Sequence, residues 1–182
     1  MIDVRLTTRS PSEAAAPTGL RQERVLAPPW RLPDCFGRER TLQEFLKSGP
    51  LVLAFYRGHW CPYCRRYLGK LQANVDRIET MGASLVAICP EDPATSRRLA
   101  AELQLSFPLL CDPEGVTIDA YGVRNTFSSV RTLLPHPAVF VIDPEGVITF
   151  KSVDRNYKKR TTIRTILHQV AAVTGNPLPA TD

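Results

Sequence analysis

Three observations on this 182-residue chain predict an α/β fold in which a central mixed sheet is flanked by helices. The runs Leu51-Val52-Leu53-Ala54-Phe55-Tyr56 and Ser84-Leu85-Val86-Ala87-Ile88-Cys89 have the length and continuous apolar character of strands buried on both faces. Between them Cys64, Leu68, Leu71, Val75 and Ile78 recur at spacings of four, three, four and three, which is one face of a helix. A strand, a helix and a strand in that order make a parallel, right-handed unit. Further on, Val139–Ile142 and Val147–Phe150 flank the turn Asp143-Pro144-Glu145-Gly146 and predict an antiparallel hairpin.

Residues 1–25 mix Ser, Pro, Ala and Arg without periodicity and read as a mobile or surface-draped arm. The remaining chain suits one domain over residues 26–176, with 177–182 as a tail. Thr41–Leu46 reads as a short helix ended by Ser48-Gly49-Pro50. The long helix starts at Pro62, whose missing N–H costs nothing in a first turn, and stops at Gly82. Asp92-Pro93 supplies an N-cap and first-turn proline for a helix to about Leu103, and Phe107–Leu110 follows as a short strand. A last helix carries Ile163, Ile166, Leu167, Val170 and Val173 on one face and stops at Gly175. A parallel unit, an inserted helix and strand, then a ββα unit is the order of a thioredoxin-like fold.

The net charge of +5 and pI near 9.1 come largely from Arg5, Arg9, Arg21, Arg24 and the run Arg155-Asn156-Tyr157-Lys158-Lys159-Arg160. Without a recognisable nucleic-acid reading element, this is a solvated basic surface. No stretch of about 18 apolar residues suggests a membrane span, and the N-terminus lacks the apolar core of a secretory signal, so a cytoplasmic protein is expected. Five irregularly spaced cysteines are too few for a disulfide scaffold and fit a reducing compartment.

Cys61-Pro62-Tyr63-Cys64 follows a buried strand and opens a helix, so its thiols lie at a positively polarised helix tip where a thiolate is stabilised. Thiol redox chemistry is the favoured reading; structural zinc needs four ligands, and only His59 is near. Cys64 falls on the buried stripe, whereas Cys61, at the cap, is expected to be the more accessible sulfur. Arg57, Arg65 and Arg66 could assist ionisation, although Arg65 and Arg66 read mainly as a solvated rim. Trp60 and Tyr63 would shield the thiols and offer a docking surface. His59 reads as a loop residue outside the catalytic set, and Cys35, Cys89 and Cys111 as packing residues. His136-Pro137 is either an ordinary turn or a cis bond facing the thiols.

The segments Leu32-Pro33-Asp34 with Gly37, Phe55-Tyr56-Arg57-Gly58-His59-Trp60-Cys61-Pro62-Tyr63-Cys64, Phe107-Pro108-Leu109-Leu110-Cys111-Asp112-Pro113 with Ala120-Tyr121-Gly122-Val123, and Phe140-Val141-Ile142-Asp143 with Gly146 resemble the alkyl hydroperoxide reductase and thiol-specific antioxidant family. The resemblance, over about Ala27 to Gly175, implies a peroxiredoxin-like enzyme with a helix–strand insertion in a thioredoxin-like fold. It implies hydroperoxide as substrate and a thioredoxin-like or other dithiol protein as reductant, with no metal, haem or flavin cofactor and room for homo-oligomers. The family's peroxide-attacking cysteine matches Cys64. Its threonine three residues earlier, its proline seven earlier and its arginine near the later strand fall on Cys61, Arg57 and Pro137, so the family's peroxide-activating hydrogen bonds do not carry over. The catalytic pair is then Cys61 and Cys64, supported by Arg57, Trp60 and Pro137. Either Cys64 attacks a peroxide and Cys61 or another thiol resolves the product, or Cys61 attacks a protein disulfide and Cys64 resolves it, as in a thioredoxin-like protein-disulfide oxidoreductase.

Overall fold

The structure, a computed structural model, describes residues 24–126 and 134–178. The arm expected over residues 1–25 and the tail over 177–182 therefore lie mostly outside the described residues. Ordered pairing begins earlier than Ala27: the Val25 carbonyl accepts the Ile148 N–H at 2.8 Å.

Five strands build one mixed sheet: β3 (Leu51–Phe55), β4 (Ser84–Cys89), β5 (Leu109–Cys111), β6 (Ala138–Ile142) and β7 (Ile148–Val153), in the order β5-β4-β3-β6-β7. The first three run parallel and the last two close antiparallel, as the chain order predicts. The expected strand at Phe107–Leu110 is shifted to Leu109–Cys111 because Pro108 has no N–H to give to a ladder. β1 (Arg31–Pro33) and β2 (Glu39–Thr41) form a separate ribbon too short to show a period in the sequence.

Strand alternation sorts the apolar side chains into two cores. Val52, Ala54, Leu85, Ala87, Val139 and Val141 face one side, and Leu51, Leu53, Phe55, Val86, Ile88 and Phe140 face the other. The second core is covered in part by α1 (Leu42–Leu46) and α5 (Val116–Ala120). The first lies under α2 (Pro62–Gln72), α3 (Val75–Thr80), α4 (Pro93–Glu102) and α6 (Ile163–Thr174). Every strand of the central three is therefore buried on both faces, which explains its unbroken apolar run.

The single helix expected from Pro62 to Gly82 is broken. Asn74 leaves helical geometry (φ −129°, ψ 9°), its side-chain amide donating to the Lys70 carbonyl at 2.9 Å. A short amide side chain that bonds the preceding turn competes with the helical ladder and divides α2 from α3. The buried stripe survives the break, since Cys64, Leu68, Leu71, Val75 and Ile78 all lie in the first core.

Candidate active site

β3 ends at Phe55, and the chain crosses Tyr56-Arg57-Gly58-His59-Trp60 before entering α2. Cys61 is the N-cap of that helix in extended geometry, with Pro62 in the first turn and Cys64 one turn inside. Both cysteines are free thiols, with no disulfide between them. Their environment corrects one expectation: Cys61, like Cys64, is only 1 % exposed. Both belong to the first core, where aromatic groups crowd the helix tip.

Those groups form a chain of rings and cations. The Arg57 guanidinium lies 4.8 Å from the Trp60 ring centroid and 4.9 Å from that of Tyr157. Tyr157 meets Tyr63 edge-on at 5.7 Å. Cation–ring contacts of this kind hold a guanidinium over an aromatic face and fix both. Trp60 remains 51 % exposed, so it caps the site while presenting a face to solvent.

Arg160 was expected to lie on a solvated surface, yet its Nη2 donates to Cys64 Sγ at 3.2 Å. Its Nη1 donates to the carbonyls of Tyr157 and Lys159, both at 2.6 Å. The basic run thus folds back over the thiols, and its two functional members, Tyr157 and Arg160, escape detection because a charge run reads as solvated. The signal available was a lone tyrosine embedded in that run.

Burial is the main reason the Cys64 thiol is pushed up to about 11, and its hydrogen bond to Cys61 adds to the shift. The Arg57 backbone N–H and the Arg160 charge oppose both. Glu91 is a second residue absent from the sequence reading. Its carboxylate accepts the His59 backbone N–H at 2.9 Å and meets the His59 ring Nδ1 at 2.5 Å, which clamps the loop before the thiols. Gly58 passes beneath that clamp at φ +151°, where an added Cβ would lie 2.7 Å from Trp60 Nε1 and 2.8 Å from Glu91 Oε1. A side chain there would strain the backbone and force Trp60 or Glu91 to shift.

Other expected residues divide. Arg65 pairs with Glu102 at 2.8 Å and belongs to the rim. Pro137 is buried at the start of β6, and its carbonyl accepts the Asp154 N–H at 2.8 Å; no peptide bond is cis among the described residues, His136–Pro137 included. Among the same residues no group of three His, Cys, Asp or Glu side chains could hold a metal ion, and no helix is long and apolar enough to cross a membrane.

A family model described as AhpC/TSA family matches residues 24–151. The chain belongs to the AhpC/TSA family. Within that family's neighbourhood, the chloroplastic peroxiredoxin Q of Oryza sativa subsp. japonica is 26 % identical over 153 residues, covering 79 % of this chain and 69 % of that protein. The thiol-disulfide oxidoreductase ResA of Geobacillus thermodenitrificans is 27 % identical over 123 residues, 67 % of this chain and 64 % of its own length. Among solved structures, peroxidoxin BcpB from Mycobacterium tuberculosis superposes with a TM-score of 0.71 at 22 % identity, covering 84 % of this chain and 96 % of that one. A peroxiredoxin-like protein from Aquifex aeolicus superposes at 0.74 with 16 % identity, covering 82 % and 86 %. This chain shares with these structures the thioredoxin fold of the AhpC/TSA family.

Proposed function

We propose that the chain is a thiol-dependent peroxidase that reduces hydroperoxides through Cys61 and Cys64 and is recycled by a thioredoxin-like dithiol protein. Family membership supports the reaction class, and one observation carries the assignment to this pair: two free thiols at the buried tip of α2, with the Arg160 guanidinium against Cys64 Sγ. Cys64 occupies the place of the family's attacking cysteine. As a thiolate it attacks the terminal peroxide oxygen, forming an S–O bond as the O–O bond breaks, and the departing alkoxide takes up a proton to leave as an alcohol. Cys61 then attacks the sulfenic sulfur, water departs, and the disulfide closes. The external dithiol reopens it by exchange and is itself oxidised. Five unpaired cysteines suit a reducing compartment, and we place the enzyme in the cytoplasm.

The test is sulfenic-acid trapping with mass spectrometry after stoichiometric peroxide, on wild type, Cys61→Ser and Cys64→Ser. Cys61→Ser is expected to accumulate adduct on Cys64, and Cys64→Ser to show none. The ResA similarity favours a second reading, protein-disulfide exchange begun by Cys61. That reading requires Cys64→Ser to trap a mixed disulfide with a protein substrate while peroxide leaves both sulfurs unchanged.

A further inference from the structure

Cys61 and Cys64 share the buried tip of α2, and a cation set against one sulfur favours the charged form of that one. The cations near this pair differ sharply in where they point. Arg57 spends its guanidinium on the Trp60 and Tyr157 rings and offers only its backbone N–H to Cys64. Arg65 is paired with Glu102, and Arg66 is exposed. Arg155 acts on His136, whose pKa is lowered by burial and then by the charges of Arg155 and Arg57. Arg160 alone among the described cations sets a guanidinium nitrogen against a cysteine sulfur, and that sulfur belongs to Cys64.

The guanidinium is held from behind. The Tyr157 and Lys159 carbonyls take up Nη1, and the Tyr67 ring centroid lies 5.7 Å from the guanidinium carbon. No carboxylate pairs with Arg160 among the described residues; Asp154 acts on Tyr67 instead. The loop is itself pinned at both ends. Asp154 N–H bonds to the Pro137 carbonyl at 2.8 Å, and two residues beyond Arg160 the Thr162 hydroxyl caps α6 by accepting Thr165 N–H at 3.1 Å.

We propose that Arg160 is the positioning residue that stabilises the Cys64 thiolate as it forms, supplying a charge to that sulfur from the connection between β7 and α6. The inference rests on Cys64 being the attacking thiol, and it assigns the choice between the two sulfurs to a residue ninety-six positions away in sequence. A charge-assisted N–H···S contact to a buried sulfur is stronger than a neutral one, and this contact is part-buried. Cys61, with no such contact, is left as the resolving thiol.

The experiment reads ionisation rather than turnover. Alkylation of Cys64 by iodoacetamide is followed by mass spectrometry against pH in full-length Cys61→Ser and in the same protein carrying Arg160→Met, Arg160→Gln or Lys159→Met. Arg160→Met is expected to raise the midpoint by about one pH unit, a tenfold loss of thiolate at a fixed pH below the midpoint. Arg160→Gln, which keeps donors for the two carbonyls, is expected to move it equally and serves if the methionine variant does not fold. Lys159→Met removes the same net charge from the same loop and is expected to leave the midpoint in place. Midpoints for the Arg160 variants that coincide with that of Lys159→Met would overturn the proposal. Peroxide consumption measured beside it separates the two claims: a shifted midpoint in a protein that reduces no peroxide retains Arg160's role and removes the peroxidase reading. Turnover with unshifted midpoints does the reverse.

Discussion

Four of the five cysteines form two neighbourhoods on the same face of the sheet, and the contrast between them isolates what makes a buried thiol reactive. Cys61 and Cys64 sit at the tip of α2 beneath a layer of aromatic rings, with Arg160 in contact. Cys89 and Cys111 are register partners on the adjacent parallel strands β4 and β5, and both sulfurs approach Ser96 Oγ, at 3.6 and 3.4 Å. Burial is essentially complete in both places. It pushes Cys89 up to about 12 and Cys111 to about 11, and no guanidinium lies against either sulfur among the described residues. Burial raises Cys64 as well, to about 11, so the two neighbourhoods differ less in how tightly the proton is held than in the helix tip and the guanidinium that stand ready for a Cys64 thiolate.

The largest effect follows from exchanging sulfur for oxygen at each place. Cys64→Ser removes the attacking group, so peroxide consumption driven by a dithiol reductant is expected to fall to the uncatalysed rate. Cys89→Ala and Cys111→Ala are expected to keep turnover while losing about 1 kcal/mol of stability each, the cost of a small cavity in a core. Loss of turnover in either alanine variant, with the fold intact, would erase the distinction.

Alkaline pH sharpens it next. Cys64, Cys89 and Cys111 all hold their protons more tightly in the folded protein than at the ordinary thiol value of 9.0. The folded state thus binds more protons than the unfolded chain between pH 9 and about 11 to 12. Stability contributed by these groups is fully present below pH 9 and is lost as pH rises through that window, each thiol adding a slope of about 1.4 kcal/mol per pH unit. Urea unfolding of the reduced protein at stepped pH should show the decline. Cys89→Ala should flatten it by one thiol's share without changing the pH dependence of peroxide consumption.

Ser96→Ala is a smaller perturbation of the inert neighbourhood. It deletes the hydroxyl that both sulfurs approach and should cost about 1 to 2 kcal/mol in a urea titration, the range for leaving buried polar groups without a partner. Turnover should be unchanged, since Ser96 lies on α4 and touches neither Cys61 nor Cys64 among its hydrogen bonds.

The sequence discloses these two neighbourhoods unequally. Core strands are legible because a strand covered on both faces must be apolar at every position, as Leu51–Phe55 is. The thiol pair is legible because Pro62 marks a helix start beside it. The break at Asn74 is not, since its cause is a side-chain bond to the Lys70 carbonyl that a periodic stripe does not register. Cys61's burial is not legible either, since it packs in a core that draws on segments as distant as Cys89 and Ile166. Arg160's role is hidden for the same reason: an exposed run of cations and a folded-back loop share one composition, and only the Asp154 to Pro137 bond distinguishes them.

Glu91 gives the finest test because its side chain reaches from the loop before the active pair to the edge of the inert pair. Its carboxylate clamps His59, ahead of the active pair, and its Oε2 lies 4.0 Å from Cys89 Sγ, at the edge of the inert pair. Glu91→Gln keeps the size and one acceptor but removes the charge, so a loss of about 0.5 to 1 kcal/mol is expected for a partly exposed His–carboxylate contact. The consequence for catalysis is positional. A looser His59 loop lets Trp60 leave the Arg57 guanidinium, and the layer over Cys64 opens to water. Iodoacetamide should then modify Cys64 faster at every pH, while Cys89, sealed beneath β4 and α4, should remain unmodified. If Cys89 becomes alkylated in step with Cys64, the clamp is holding both neighbourhoods shut, and the separation between reactive and inert thiols belongs to the loop rather than to Arg160.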